Sequence, residues 1–75
     1  MRTIGENIRY YRKRAGLTLK ELEEEIGTHY SNICRWEKNS QAPSIMSLLS
    51  LCDALNVTPN ELLNCEEGEK KWRNK

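Results

Sequence analysis

Apolar residues recur along this chain at helical spacing, and no stretch shows the two-residue alternation of a strand. Between Thr18 and Trp36, the residues Leu19, Leu22 and Ile26 lie three and four apart and so share one face of a short helix. Gly27 interrupts the run where a helix C-cap calls for a residue that tolerates positive φ. Ile33 and Trp36 then resume the spacing after a turn too short for any substantial loop. The first helix is apolar on one side, and the second opens with polar residues. Joined so tightly, the two describe a helix-turn-helix.

The other elements follow from their end signals. The signature Thr-x-x-Glu, a capping box, occurs at Thr3–Glu6, Thr18–Glu21 and Thr58–Glu61, the last with Pro59 at the first helical position. Helix one is expected from about Ile4 to Ala15, with Ile4, Ile8 and Tyr11 inward and Gly16 ending it. Helix two runs from about Leu19 to Ile26. Helix three starts near His29 or Tyr30 and fades near Lys38, leaving Asn39 to Pro43 as the one real loop. Ser44 caps helix four, whose expected inward stripe is Ile45, Leu48, Leu49, Cys52 and Leu55. Asn56 stands at its left-handed C-cap, and helix five spans about Pro59 to Leu63. The expectation is an all-α, compact five-helix domain over residues 1–64, followed by a charged tail over 65–75 in which Trp72 is the only large apolar residue.

Composition narrows what such a domain can do. A chain of 75 residues makes one small domain, which buries only about 60% of the surface exposed by its unfolded form. That leaves room for a groove but hardly for a catalytic cavity. Twelve basic residues stand against eleven acidic ones, yet their distribution is uneven. Arg2, Arg9, Arg12, Lys13 and Arg14 face only Glu6 in the first sixteen residues, while Glu21, Glu23, Glu24 and Glu25 crowd helix two. Cys34, Cys52 and Cys65 are scattered and odd in number, which fits a reducing cytosol better than a disulfide framework. No apolar run approaches the roughly 20 residues of a membrane span and no signal peptide opens the chain, so a cytoplasmic protein with no membrane partner is expected. His29 and Cys34 do not share a helix face, and zinc usually takes four ligands, so no metal is expected. His29 has no evident orienting acid and Cys34 no pocket, so neither forms a nucleophilic pair. No catalytic residue and no cofactor is expected.

The residues carry a family resemblance beyond the motif. Ile4-Gly5-Glu6-Asn7-Ile8-Arg9, Gly16-Leu17-Thr18, Arg35-Trp36-Glu37, Pro43-Ser44, Leu48-Leu49, Leu55-Asn56-Val57 and Glu61-Leu62-Leu63 together span most of the chain. At this spacing the sequence resembles the Cro and lambda-repressor-like regulators of bacteria and phages, also called the XRE family. The resemblance implies a sequence-specific regulator of double-stranded DNA, acting as a repressor, with helix three in the major groove.

Site residues follow from that placement. His29, Tyr30, Ser31 and Asn32 open the recognition helix where side chains meet base edges, and Arg35 lies one turn beyond Ser31 on the same face. Phosphate contacts are expected from Lys13 near the end of helix one, from the helix N-terminus at Thr18, and from Lys38, Asn39 and Ser40 after the recognition helix. By resemblance, Arg12 pairs with Glu37 and ties helix one to helix three. Two residues depart from the family pattern: Leu19 stands where a phosphate-holding Gln is frequent, and Glu23 where an Ala lets helices two and three cross closely. A single recognition helix reads few base pairs, so a homodimer is expected. Its surface would be the outer side of helix four, at Met46, Ser47 and Ser50, or the C-terminal Leu63, Cys65 and Trp72. Two other functions fit the same fold: an antitoxin whose C-terminal segment binds a toxin or other protein, and an interaction module that has lost DNA binding.

Overall fold

Capping chemistry sets where the helices begin. The computed structural model describes residues 3–64 and places α1 at Ile4–Arg14, α2 at Leu19–Ile26, α3 at Tyr30–Glu37, α4 at Ile45–Leu55 and α5 at Pro59–Leu63. Thr3, Thr18 and Thr58 each accept a hydrogen bond from the glutamate amide three residues on, and that glutamate's carboxylate takes the threonine amide in return. These bonds satisfy two amides at each helix start that have no partner within the helix. The helix ends are as legible. Gly27 closes α2 at φ 75° and Asn56 closes α4 at φ 58°, both left-handed. Arg2, the charged tail expected at 65–75, and Cys65 and Trp72 as part of a protein-docking surface all lie outside the described residues.

The helices enclose one core of Ile8, Leu22, Ile33, Trp36, Leu51, Cys52, Leu55 and Leu62. Each of the five helices contributes to it, which is how a chain this short obtains a core at all. Asn7, also buried, donates from Nδ2 to the carbonyls of Leu62 at 2.9 Å and Asn64 at 3.3 Å, fastening α1 to the end of α5. Among the described residues no helix is long and apolar enough to cross a membrane.

The face of α4 differs from the expected stripe. Ile45 and Leu49 are 73% and 49% exposed, while Leu51, absent from that stripe, is fully buried. The inward set is Leu48, Leu51, Cys52 and Leu55, itself an i, i+3, i+4, i+7 pattern. Because α4 is apolar almost all round, its own sequence does not choose between neighbouring faces. The choice falls to the packing of α2, α5 and α1 against it.

Candidate nucleic-acid interface

A seam with α1 fixes the position of α3. Ile33 and Trp36 anchor the inner side of α3 in the core. At the far end, Arg12 donates from Nε to Glu37 Oε2 at 2.7 Å and from Nη2 to Oε1 at 3.2 Å. Its Nη1 donates to the Leu17 carbonyl at 2.9 Å, so one guanidinium joins α1, the α1–α2 turn and α3. Gly5 lets the backbones meet: a Cβ there would lie 2.7 Å from the Glu37 carbonyl oxygen and nearer still to that of Trp36. Asn39, at φ 62°, closes the seam. Its Oδ1 accepts from the Gly5 amide at 3.0 Å, and its Nδ2 donates to Thr3 Oγ1 at 2.7 Å.

With that side committed, the other side of α3 faces outward. His29, Tyr30 and Arg35 are exposed, and Ser31 and Asn32 are half-buried. His29 is the N-cap and not a residue of the helix proper: its Nδ1 accepts from the Ser31 amide at 3.2 Å and lies 2.8 Å from the Ser31 hydroxyl. The ring stacks on Tyr30 with centroids 4.7 Å apart, and the Lys20 ammonium lies 5.6 Å from the Tyr30 ring centre. Further along, Asn32 donates to Thr28 Oγ1 at 3.3 Å and accepts from Arg35 Nη1 at 3.2 Å.

The expected phosphate contacts fall into two groups, at either end of the helix-turn-helix. Lys13 and Thr18 line a shallow groove with Gly16, Leu17, Leu19, Lys20 and Tyr30. The Thr18 hydroxyl serves the Glu21 amide at 3.1 Å, so what this end offers an anion is the first-turn amides of α2 and the two ammonium groups. Lys20 was not among the residues expected from sequence; the signal for it is its place in the first turn after the Thr18 cap. At the other end Lys38 is the exposed C-cap of α3, and Ser40 donates to the Arg35 carbonyl at 3.2 Å. Asn39 joins this group with both ends of its amide engaged in the α1 seam.

The two departures from the family pattern have local outcomes. Leu19 packs against the core, half-buried. Glu23 is half-buried as well, and among the described residues no ion pair joins it to Arg35, whose partner is Asn32. Cys34 and Cys52 are free thiols, and burial pushes the Cys52 thiol up from its ordinary value. Among the described residues no cluster of three or more histidine, cysteine or acidic side chains is placed to hold a metal ion.

A tight pair of helices with an outward polar rank, held from behind by a buried ion pair, defines a helix-turn-helix domain. The helix-turn-helix family model matches residues 8–62, and the chain belongs to that family, in its Cro and lambda-repressor-like branch. The HTH-type transcriptional regulator SinR of Bacillus licheniformis is 40% identical over 70 residues, 92% of this chain and 62% of that protein. The P22 c2 repressor, crystallised with a synthetic operator, superposes with a TM-score of 0.80 at 31% identity, over 85% of this chain and 97% of that one. The biofilm regulator SinR in complex with DNA superposes with a TM-score of 0.78 at 38% identity, over 83% of this chain and 100% of that one. The chain spans between 50% and 62% of the length of the curated relatives it matches. These are transcription regulators and not enzymes.

Proposed function

We propose that this chain is a sequence-specific regulator of double-stranded DNA that works in the cytoplasm and represses transcription by laying α3 in the major groove. The observation that carries this reading is the division of α3 itself. One side is locked to the core and to α1, while His29, Tyr30, Ser31, Asn32 and Arg35 stand on the other. In the groove, donors and acceptors on such a rank meet base edges directly or hold a neighbour that does. Lys13, Thr18 and Lys20 at one end, with Lys38, Asn39 and Ser40 at the other, set the register on the phosphates. The DNA bound by the P22 c2 repressor and by SinR supports the same placement here.

Selection of bound duplexes from a random pool tests the reading. One motif should be enriched, and log affinity for it should fall linearly with log salt. At a slope of about −0.9 per phosphate, about 3–5 contacts per subunit contribute about −3 to −4.5 for each subunit on the site. No enriched motif, or binding indifferent to salt, overturns it.

We propose further that two copies bind a palindromic site. One helix discriminates too few base pairs against a genome, and a two-fold pair sets its helices about 34 Å apart. What supports a second copy is the outer side of α4, where Ile45, Met46 and Leu49 are 73%, 72% and 49% exposed. Sedimentation with a saturating selected duplex should give two subunits per site; one subunit per site excludes the pair.

A further inference from the structure

Thr28, Asn32 and Arg35 lie at i, i+4 and i+7, so they form a line along one side of α3 and its leading turn. The Asn32 amide sits between the other two, donating from Nδ2 to Thr28 Oγ1 at 3.3 Å and accepting at Oδ1 from Arg35 Nη1 at 3.2 Å. The direction of this relay is fixed by chemistry. A guanidinium carries only donors, so the amide oxygen must face Arg35, and the nitrogen is left for Thr28.

An asparagine reads adenine by presenting Oδ1 and Nδ2 together to the base edge. In this protein Nδ2 already gives one of its two hydrogens to Thr28 and Oδ1 one of its two lone pairs to Arg35, so neighbours on the helix set the orientation of the amide. Arg35 is in the complementary condition. Only its Nη1 is engaged, and the edge formed by Nε and Nη2 carries no bond to another described residue. Arg12 shows what that edge does elsewhere in the same molecule, where Nε and Nη2 grip the two oxygens of Glu37. The acceptors O6 and N7 of guanine offer the same two-point target in the major groove.

We infer that Asn32 is a positioning residue and not a base reader: it holds the Arg35 guanidinium by Nη1 so that the Nε–Nη2 edge meets guanine. The inference rests on the proposed role of α3 as the helix that reads DNA. A long side chain ordered before it meets the base loses less freedom on binding. That difference raises discrimination about two- to tenfold.

The test selects bound duplexes from one random pool with the full chain as wild type, Arg35→Ala, Asn32→Ala, Asn32→Asp and the double alanine variant. Arg35→Ala should abolish a guanine preference at one position. Asn32→Ala should weaken the preference at that same position about two- to tenfold, leave the other positions unchanged, and add nothing in the double variant. Asn32→Asp keeps an oxygen for Nη1, so it should retain the guanine preference even as its charge lowers affinity on every sequence alike. Alanine is a strong helix former at this half-exposed site, so thermal unfolding of Asn32→Ala should match wild type. Asn32→Ala altering a different position would show Asn32 reading a base of its own and overturn the inference. Loss of the guanine preference in Asn32→Asp overturns it too. An enriched motif that Arg35→Ala leaves unchanged at every position removes Arg35 as a base reader, and the inference with it; the absence of any enriched motif, in the wild type too, would instead mark failure of the DNA-reading role itself.

Discussion

The α1–α3 seam and the outward side of α3 are built from the same two side chains, arginine and asparagine, used in opposite ways. In the seam, Arg12 is 8% exposed and all three of its nitrogens have partners. On α3, Arg35 is exposed and gives one nitrogen to a neighbour three residues away. Asn39 spans 34 and 36 residues of sequence to reach Gly5 and Thr3, while Asn32 reaches only Thr28 and Arg35. Bonds that close long loops fix the tertiary fold and are lost only when it opens. Bonds between neighbours on one helix cost little order to make, and they set how a side chain is presented. The seam therefore governs stability, and the outward side, under the proposed function, governs recognition, although their chemistry is nearly the same.

Glu37→Ala should break this comparison most sharply. It strands Arg12, whose side chain in the ion pair is 10% exposed, without its carboxylate. Removing one partner of a pair this buried should cost about 2–4 kcal/mol. In a domain of this size the melting temperature should then fall by about 10 °C or more. Arg35→Ala, on the outward side, should change stability by no more than about 0.5 kcal/mol. Thermal unfolding of the two variants side by side measures the contrast. Similar small losses from both would mean the seam's ion pair does no more than a surface one.

Gly5→Ala comes next and has a diagnostic sign. In an open helix position this change adds about 1 kcal/mol of stability. At Gly5 the new methyl would meet the backbone oxygens of Trp36 and Glu37, which cannot swing aside as a side chain could. Overpacking of this kind costs about 1–3 kcal/mol, so denaturant unfolding should show a net loss. A gain would mean that α1 and α3 approach each other less closely than their contacts require.

What could be read from sequence divides along the same line. Helix starts and stops were legible because their chemistry is local: Thr3 with Glu6, Thr18 with Glu21, Gly27 and Asn56 each act within a turn of themselves. The inward face of α4 was not, since Ile45, Leu48, Leu49 and Leu51 are equally apolar and only distant helices choose among them. The buried bond of Asn7 to α5 and the bonds of Asn39 to the start of α1 are invisible for the same reason. In the site, the outward rank from His29 to Arg35 follows from its place after the turn. That Asn32 is already engaged by its neighbours depends on rotamers, which spacing does not fix. Lys20 was hidden because its partner, the Tyr30 ring, belongs to the next helix.

Asn39→Gly gives the smallest expected effect and separates two reasons for an asparagine at this point. Asn39 adopts φ 62°, a region that glycine enters freely and asparagine with modest strain, so the backbone gains slightly from the change. Against that stand two lost hydrogen bonds. Thr3 is exposed, and water can replace Nδ2 there at little cost. Gly5 is buried in the first turn of α1, where its amide has no acceptor within the helix, and removal of Asn39 Oδ1 leaves it unsatisfied. An unsatisfied buried donor costs about 1–3 kcal/mol, of which the relaxed backbone returns a part, so a net loss of about 1 kcal/mol is expected. Asn39→Ala removes the same bonds while keeping a side chain in the left-handed region, and should lose about 1 kcal/mol more. Urea unfolding of both variants checks the order. If Asn39→Gly proves as stable as wild type, the residue serves the turn alone and the seam is held by Arg12 and Gly5. If the two variants are equal, backbone strain is absent from the balance and the amide bonds account for all of it.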